Sequence, residues 1–356
     1  MRTIVHFGMS KAGSTALQKG LVQAREALLE RGVLYPKAPI ISHSHNLLSA
    51  GLVPPGEIPR FVRHSLEKVG AGPDLCDRWL AALGEAMARG AAKTLVLSAE
   101  NLWGLRDAEA AARLRERLVG IGATRIEAVA YLRRPSDWYL SMAGQVLAAS
   151  HRIKPAEPVP YRASIEPMAQ HLADASATRL RLYDRTRFPG GDIVADFLER
   201  TLEIGDLPAP GREANVSLSA EGLDLLRSYR LHAHPDENGQ FTPDTRRVMQ
   251  ALERAEAATP GHARPRLRAD LADRLDHGAP DLLWLRDAHG LVFDGIEYDR
   301  IETGDWRKRF GALDEVCLLD PARREALAQR GFQEMATALE AHRKRRRRRN
   351  KAKGQG

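Results

Sequence analysis

Short apolar runs and amphipathic stretches alternate along the first half of the chain. Thr3–Phe7 is a compact β-branched and aromatic run that predicts a strand. Beyond a glycine-containing loop, Leu17, Leu21, Ala24 and Leu28 recur at i, i+4, i+7 and i+11. They form the apolar stripe of a helix predicted over Ser14–Arg31 and ended by Gly32. Val33–Tyr35 fits a second short strand, closed by Pro36, and Leu75, Trp79, Leu83 and Met87 mark another helix face. Thr94–Ser98 reads as a buried strand, with Leu114, Leu118 and Ile121 on the helix after it. Ile126–Leu132 is the longest apolar strand, stopped by Pro135 ahead of a helix over Ser136–Ala149. Leu180–Tyr183 and Asp192–Leu202 add one strand and one helix. Pro155–Pro160 reads as a surface loop. Past about Asn215 the pattern turns helical and polar, with breaks near Pro260 and Pro280 and no internal repeat.

Alternating strand and helix units with uninterrupted apolar strands predict an α/β fold whose central parallel sheet is covered on both faces. The expected organisation is a core over 1–220, a mainly helical C-terminal elaboration of the same domain over 221–341, and a basic tail over 342–356.

Composition changes this picture little. Hydrophobic residues make up 43% and charged residues 28%, the ordinary globular range. No apolar run reaches the roughly 20 residues a membrane span needs. The first strand starts almost at Met1, so no secretory signal is expected. Cys76 and Cys317, two distant thiols, suit a reducing compartment, and the expected location is the cytoplasm. The net charge of +8 belongs to one end: Arg343–Lys353 holds nine Lys or Arg and no acid. The rest of the chain is therefore close to neutral. Like charges in such a run favour a disordered, solvated tail. A polyanion or an anionic membrane surface is the partner it would suit, the latter making the protein peripheral at a membrane. No specific nucleic-acid partner is expected.

Candidate chemistry concentrates in two segments. Gly8-Met-Ser-Lys11-Ala12-Gly13-Ser14-Thr15 lies between a predicted strand and helix, where backbone N–H groups and a helix N-terminus form an anion site. Gly8 and Gly13 have the spacing of a Walker A loop, but Ser14 stands where that motif has lysine, and the lysine sits earlier, at Lys11. That position suits one phosphate and a bridging oxygen better than a magnesium-bound triphosphate. The plainer reading is a tight turn with Ser14 capping the helix. The second segment is Tyr131-Leu-Arg133-Arg134-Pro135-Ser-Asp-Trp138-Tyr139-Leu-Ser141. Arg133 leaves the carboxyl end of the strongest strand, where open α/β sheets bind ligands, and a guanidinium fork with the Ser141 hydroxyl can share a phosphate. Trp103, Trp138 and Tyr139 are better read as packing residues than as ring-stacking ones. No cluster of His, Cys and carboxylates has metal-ligand spacing.

These two segments resemble the donor-binding motifs of the sulfotransferases that use 3′-phosphoadenosine 5′-phosphosulfate (PAPS). Lys11, Gly13, Ser14 and Thr15 are similar to the 5′-phosphosulfate loop pattern K-x-G-S/T-T. Arg133, Pro135 and Ser141 are similar to the 3′-phosphate site. Leu182–Arg185, Gly190–Phe197 and Asn215–Ser219 add to the resemblance to bacterial sulfotransferase-like proteins, which weakens after Ser150 and ends near Ser219. The resemblance implies a P-loop-type three-layer αβα fold and transfer of a sulfuryl group from PAPS to a hydroxyl or amine, with no metal required. The acceptor by analogy is a glycan, and 221–341 is the candidate acceptor side. Lys11 would stabilise the developing charge; Ala12 completes the loop. For the general base the family leaves two regions open: Glu100, after the Thr94–Ser98 strand, and His45 or His43 in Ser42-His-Ser-His-Asn46. A P-loop phosphotransferase using magnesium and ATP, and a catalytically silent binding module tethered by its basic tail, are the competing readings.

Overall fold

In the computed structural model, which describes residues 1–90, 92–207 and 218–353, the chain begins with β1 (Arg2–His6), α1 (Ser14–Gln23), α2 (Arg25–Glu30) and β2 (Val33–Leu34). α3 (Arg60–Lys68) and α4 (Leu75–Ala88) lead to β3 (Thr94–Ser98), and α5 (Ala108–Gly120) to β4 (Arg125–Leu132). α6 (Pro135–Leu147) and α7 (Tyr161–Pro167) precede β5 (Thr178–Leu182) and α8 (Ile193–Arg200). The remainder is helical: α9 (Ala220–Ala233), α10 (Pro243–Ala258), α11 (Ala269–His277), α12 (Asp281–His289) and α13 (Pro321–Lys353).

The fold is α/β. The five strands form one parallel sheet in the order β2-β3-β1-β4-β5. β1 is central, with His6 opposite Ser98 of β3 and Val129 of β4. Every residue of Leu95–Ser98 and of Ile126–Leu132 is buried. Successive strand side chains point to opposite faces, so both faces are covered. The expected helix to Arg31 divides at Ala24, and Arg25 reaches back to the carbonyls of Tyr35 (2.8 Å) and Pro36 (3.2 Å). β5 starts at Thr178, earlier than its apolar residues suggest, because Ala128 and Val129 pair with Thr178 and Arg179.

Two compact units divide the chain, and they interleave. The sheet unit is Met1–Arg134, Val159–Arg212 and Pro280–Asp299; the helical unit is Pro135–Pro158, Glu213–Ala279 and Arg300–Gly356. This division cuts across the boundary expected near residue 220. In the sheet unit, Asp281 accepts from the Arg162 backbone N–H (2.8 Å), and Arg134 donates to the carbonyls of Asp294 (3.1 Å) and Gly295 (3.2 Å). These bonds join Pro280–Asp299 to α7 and to the end of β4. The helical unit has its own core, including Leu147, Leu226, Leu252, Leu275 and Val316. Within it, buried Arg323 bonds Ser219 (2.7 Å), Glu221 (2.8 Å) and Glu256. Of the Asn215–Ser219 segment, Asn215, Val216 and Ser217 lie outside the described residues; Ser219 caps α9. α13 carries the backbone through the basic run to Lys353, where charge repulsion argued for disorder; the run lacks Gly and Pro up to that point, and Arg and Lys are good helix formers. No helix among the described residues is long and apolar enough to cross a membrane.

The amino end of the sheet carries a buried ionic cluster. Glu127, fully buried in β4, takes Arg2 (2.7 and 3.1 Å), Arg125 (3.0 Å) and Arg179 (3.1 Å). Burial alone would raise its pKa, but the Arg2 hydrogen bond and the three positive charges outweigh that and hold it below the usual carboxylate range. Removing one partner of a buried pair leaves the others uncompensated. Because Arg2, Arg125 and Arg179 are partly exposed and can be solvated once unpaired, Glu127→Ala should lower unfolding free energy by about 1 kcal/mol in urea titrations. Because the folded pKa is depressed, the wild-type contribution is complete above the unfolded carboxylate range and fades as pH falls through the folded value. Glu127→Ala should lose that acid-side slope, and an unchanged slope would contradict the pairing.

Candidate active site

β1 and β4 are neighbours, yet the chain leaves β1 for one edge of the sheet and β4 for the other. That divergence opens a crevice at the carboxyl ends of the strands. The Gly8–Thr15 loop leaves β1 there, and Arg133 follows β4 directly. Phe7 N–H bonds Val129 O (3.0 Å), extending the pairing to the lip of the loop.

Within the loop, Lys11 (φ 63°) and Gly13 (φ 85°) are both left-handed. The Ala12 N–H turns inward to Met9 O (3.2 Å), so that donor is spent inside the loop. The cap of α1 is Gly13 rather than Ser14, and no side chain caps the helix start. The first intrahelical bond runs from Leu17 N to Gly13 O (3.0 Å), so the N–H groups of Ser14, Thr15 and Ala16 face out of the first turn. Thr15 is exposed, whereas Ser14 is buried with its hydroxyl 3.3 Å from Met9 O. Backbone approach is close on both sides. A Cβ on Gly8 would stand 2.4 Å from His6 Cε1, and one on Gly13 2.5 Å from the Tyr183 ring.

Two neighbouring strand ends bring charge to this loop. Glu100 follows β3 after Ala99, and Arg133 donates Nη1 to Lys11 O (2.9 Å). Burial pushes the Lys11 ammonium down, opposed by Glu100 and reinforced by Arg133. Burial pushes the Glu100 carboxyl up, opposed by Lys11 and by a Ser14 hydroxyl hydrogen bond. Lys11, Ser14, Glu100 and Arg133 thus form one interacting group.

The histidine candidates stand apart from it. His45 is buried, its Nδ1 accepting from Ser98 N–H (2.8 Å) and its Nε2 donating to Pro36 O (3.0 Å). Both ring nitrogens are committed to backbone, and burial lowers its pKa to about 4. It fastens the segment after β2 to the end of β3, and neither nitrogen is left to take a proton from a substrate. His43 is half-buried, its pKa lowered by burial and then by Lys19, and its carbonyl accepts from Tyr35 OH (2.7 Å). His6, which no motif had singled out, is fully buried beneath Gly8; its Nδ1 meets Ser98 Oγ (2.8 Å), and burial lowers its pKa to about 3.

Two tyrosines that were not among the candidate site residues belong to the site. Tyr183, at the end of β5, packs on Gly13 and lies under the Arg133 guanidinium (5.7 Å to the ring centroid). Its place at a strand's carboxyl end was the available signal. Tyr161 donates to Arg133 O (2.5 Å), a contact its local sequence does not announce. Trp103 packs parallel to Phe7 at 6.2 Å between centroids and is buried, the packing role expected of it. Ser141 belongs to the helical unit, half-buried on the second turn of α6. The start of α6 is held in that unit by Asp276, which accepts from Ser136 N–H (3.0 Å) and Oγ (2.9 Å). Tyr139 and Trp138 also pack there, Tyr139 donating to Lys154 O (2.7 Å) and Lys154 lying over the Trp138 ring. Among the described residues, no three His, Cys, Asp or Glu side chains gather as a metal site.

No protein-family model, curated protein or solved structure matches this chain.

Gly13→Ala should be among the most disruptive loop changes, because φ 85° is left-handed and the new Cβ meets both Tyr183 and Ile193. A loss of more than about 1 kcal/mol in unfolding free energy is expected, measured by chemical denaturation. Wild-type stability would refute the loop geometry.

Proposed function

We propose that the chain is a PAPS-dependent sulfotransferase on a P-loop-type three-layer αβα fold, acting on a hydroxyl acceptor of a carbohydrate. The observation that carries this reading is the grouping of Lys11, Ser14, Glu100 and Arg133 at the crevice between β1 and β4. A phosphate loop with its lysine inside the turn, beside a carboxylate from the neighbouring strand, joins a place for a sulfonated phosphate to a place for a base.

The residues fit the donor in charge and in donor geometry. The outward N–H groups of Ser14, Thr15 and Ala16 suit the 5′-phosphate, with Lys11 placed for the bridging oxygen. Arg133 is assigned to the 3′-phosphate, which sets orientation rather than bond-making; Ser141, which the sequence paired with it, belongs to the helical unit. Arg133 has a second duty, since its bond to Lys11 O keeps the loop carbonyl turned away from an anion.

In the reaction proposed, an acceptor hydroxyl oxygen bonds to sulfur as the bond from sulfur to the bridging oxygen breaks. Glu100 takes the hydroxyl proton. Lys11 and the loop N–H groups take up the negative charge left on adenosine 3′,5′-bisphosphate, the preorganised electrostatic contribution that usually dominates. Glu100 is the better base than His45 on two grounds: burial raises its proton affinity, and its carboxylate faces the loop, while the ring nitrogens of His45 are occupied.

Transfer of labelled sulfate from PAPS to pools of glycans, lipids and small hydroxyl compounds tests the reading. Lys11→Ala should lower kcat by about 10²-fold or more and Glu100→Gln by about 10²-fold. The rate should rise with pH through the elevated Glu100 pKa, because the base must be ionised. Glu100→Gln should flatten that limb. No transfer to any pool, or a pH limb that survives Glu100→Gln, would count against the assignment.

A further inference from the structure

We propose that the far end of α13 docks the protein on an anionic lipid surface. The near part of this helix is fixed within its own unit: Leu327 is buried, Arg323 is held by Glu221 and Glu256, and Arg254 donates to Glu334 (2.7 Å). The opposite face is uncovered. Phe332 is 69% exposed and Leu339 63% exposed. Seven residues apart on a helix they share one face, with exposed Ala336 between them. From Ala336 to Ala341 every side chain is exposed, and the Thr337 hydroxyl bonds back within the helix to Gln333 O (3.0 Å).

The cationic run follows at once. Arg343–Lys353 brings nine basic residues and no acid, five of them the unbroken Arg345–Arg349, on a backbone that stays helical to Lys353. Positive charges at i,i+4 repel along a helix, and anionic headgroups relieve that repulsion. Nucleic acid or another polyanion would meet the charges alone. Only a bilayer interface also meets Phe332 and Leu339, whose rings and methyls enter the acyl boundary while the cations stay among the headgroups. Charge complementarity and the apolar stripe therefore point to one occupant, and the packed face of α13 leaves docking compatible with the fold.

Vesicle flotation of the full chain tests this. It should float with phosphatidylcholine–phosphatidylglycerol vesicles and not with phosphatidylcholine alone, and added salt should weaken binding. The Phe332→Ser/Leu339→Ser double variant should bind the anionic vesicles about tenfold more weakly. The Arg345→Glu/Arg347→Glu/Arg349→Glu variant should not bind them. The Phe332→Ser/Leu339→Ser variant should keep wild-type thermal unfolding, since both side chains are exposed. Failure of the wild type to float with anionic vesicles overturns the proposal. So does undiminished binding by the double variant, or retention by single-stranded DNA with the vesicles ignored.

Discussion

The candidate site depends on one turn of backbone. Lys11 and Gly13 are both left-handed, and this is what folds the Gly8–Thr15 segment back under itself with Ala12 N–H aimed at Met9 O. A left-handed lysine costs on the order of 1 kcal/mol or more, so the conformation needs support from outside the loop. That support is visible on three sides: Arg133 bonds Lys11 O, Tyr183 packs against Gly13, and His6 lies directly under Gly8. The loop can hold a half-buried ammonium beside Glu100 because the sheet has already fixed both strand ends.

The sheet supplies the rest by topology. With β1 between β3 and β4, one strand delivers the loop, the next delivers Glu100 and the third delivers Arg133. No two of these residues are close in sequence, yet parallel register places their strand ends side by side. Burial then sets the electrostatics. It lowers the Lys11 pKa and raises that of Glu100, while each charge opposes the shift of the other. The outcome is a lysine that remains a cation source and a carboxyl drawn toward the range where a base works.

Much of this was legible in the sequence, and the parts that were not have a common cause. β3 and β4 announce themselves as unbroken apolar runs, and the loop announces itself by glycine spacing. Arg133 is marked by the end of its strand. By contrast, the first long helix divides at Ala24, where Arg25 reaches two backbone carbonyls, and no side-chain pattern records such bonds. The choice between Glu100 and His45 was closed to sequence for the same reason: the imidazole is committed through Ser98 N–H and Pro36 O. Tyr161 contributes its hydroxyl to a backbone oxygen, again without a local signature. The interleaving of the two units is also carried by backbone partners, notably Arg134 on the carbonyls of Asp294 and Gly295.

The measurement that bears most directly on the account is calorimetric titration of adenosine 3′,5′-bisphosphate in the absence of magnesium, set beside ATP with magnesium. The account predicts that the bisphosphate binds the wild type without metal and that Lys11→Ala and Arg133→Ala each weaken it sharply, with ATP–magnesium bound poorly. Tight ATP–magnesium binding with no binding of the bisphosphate would contradict it.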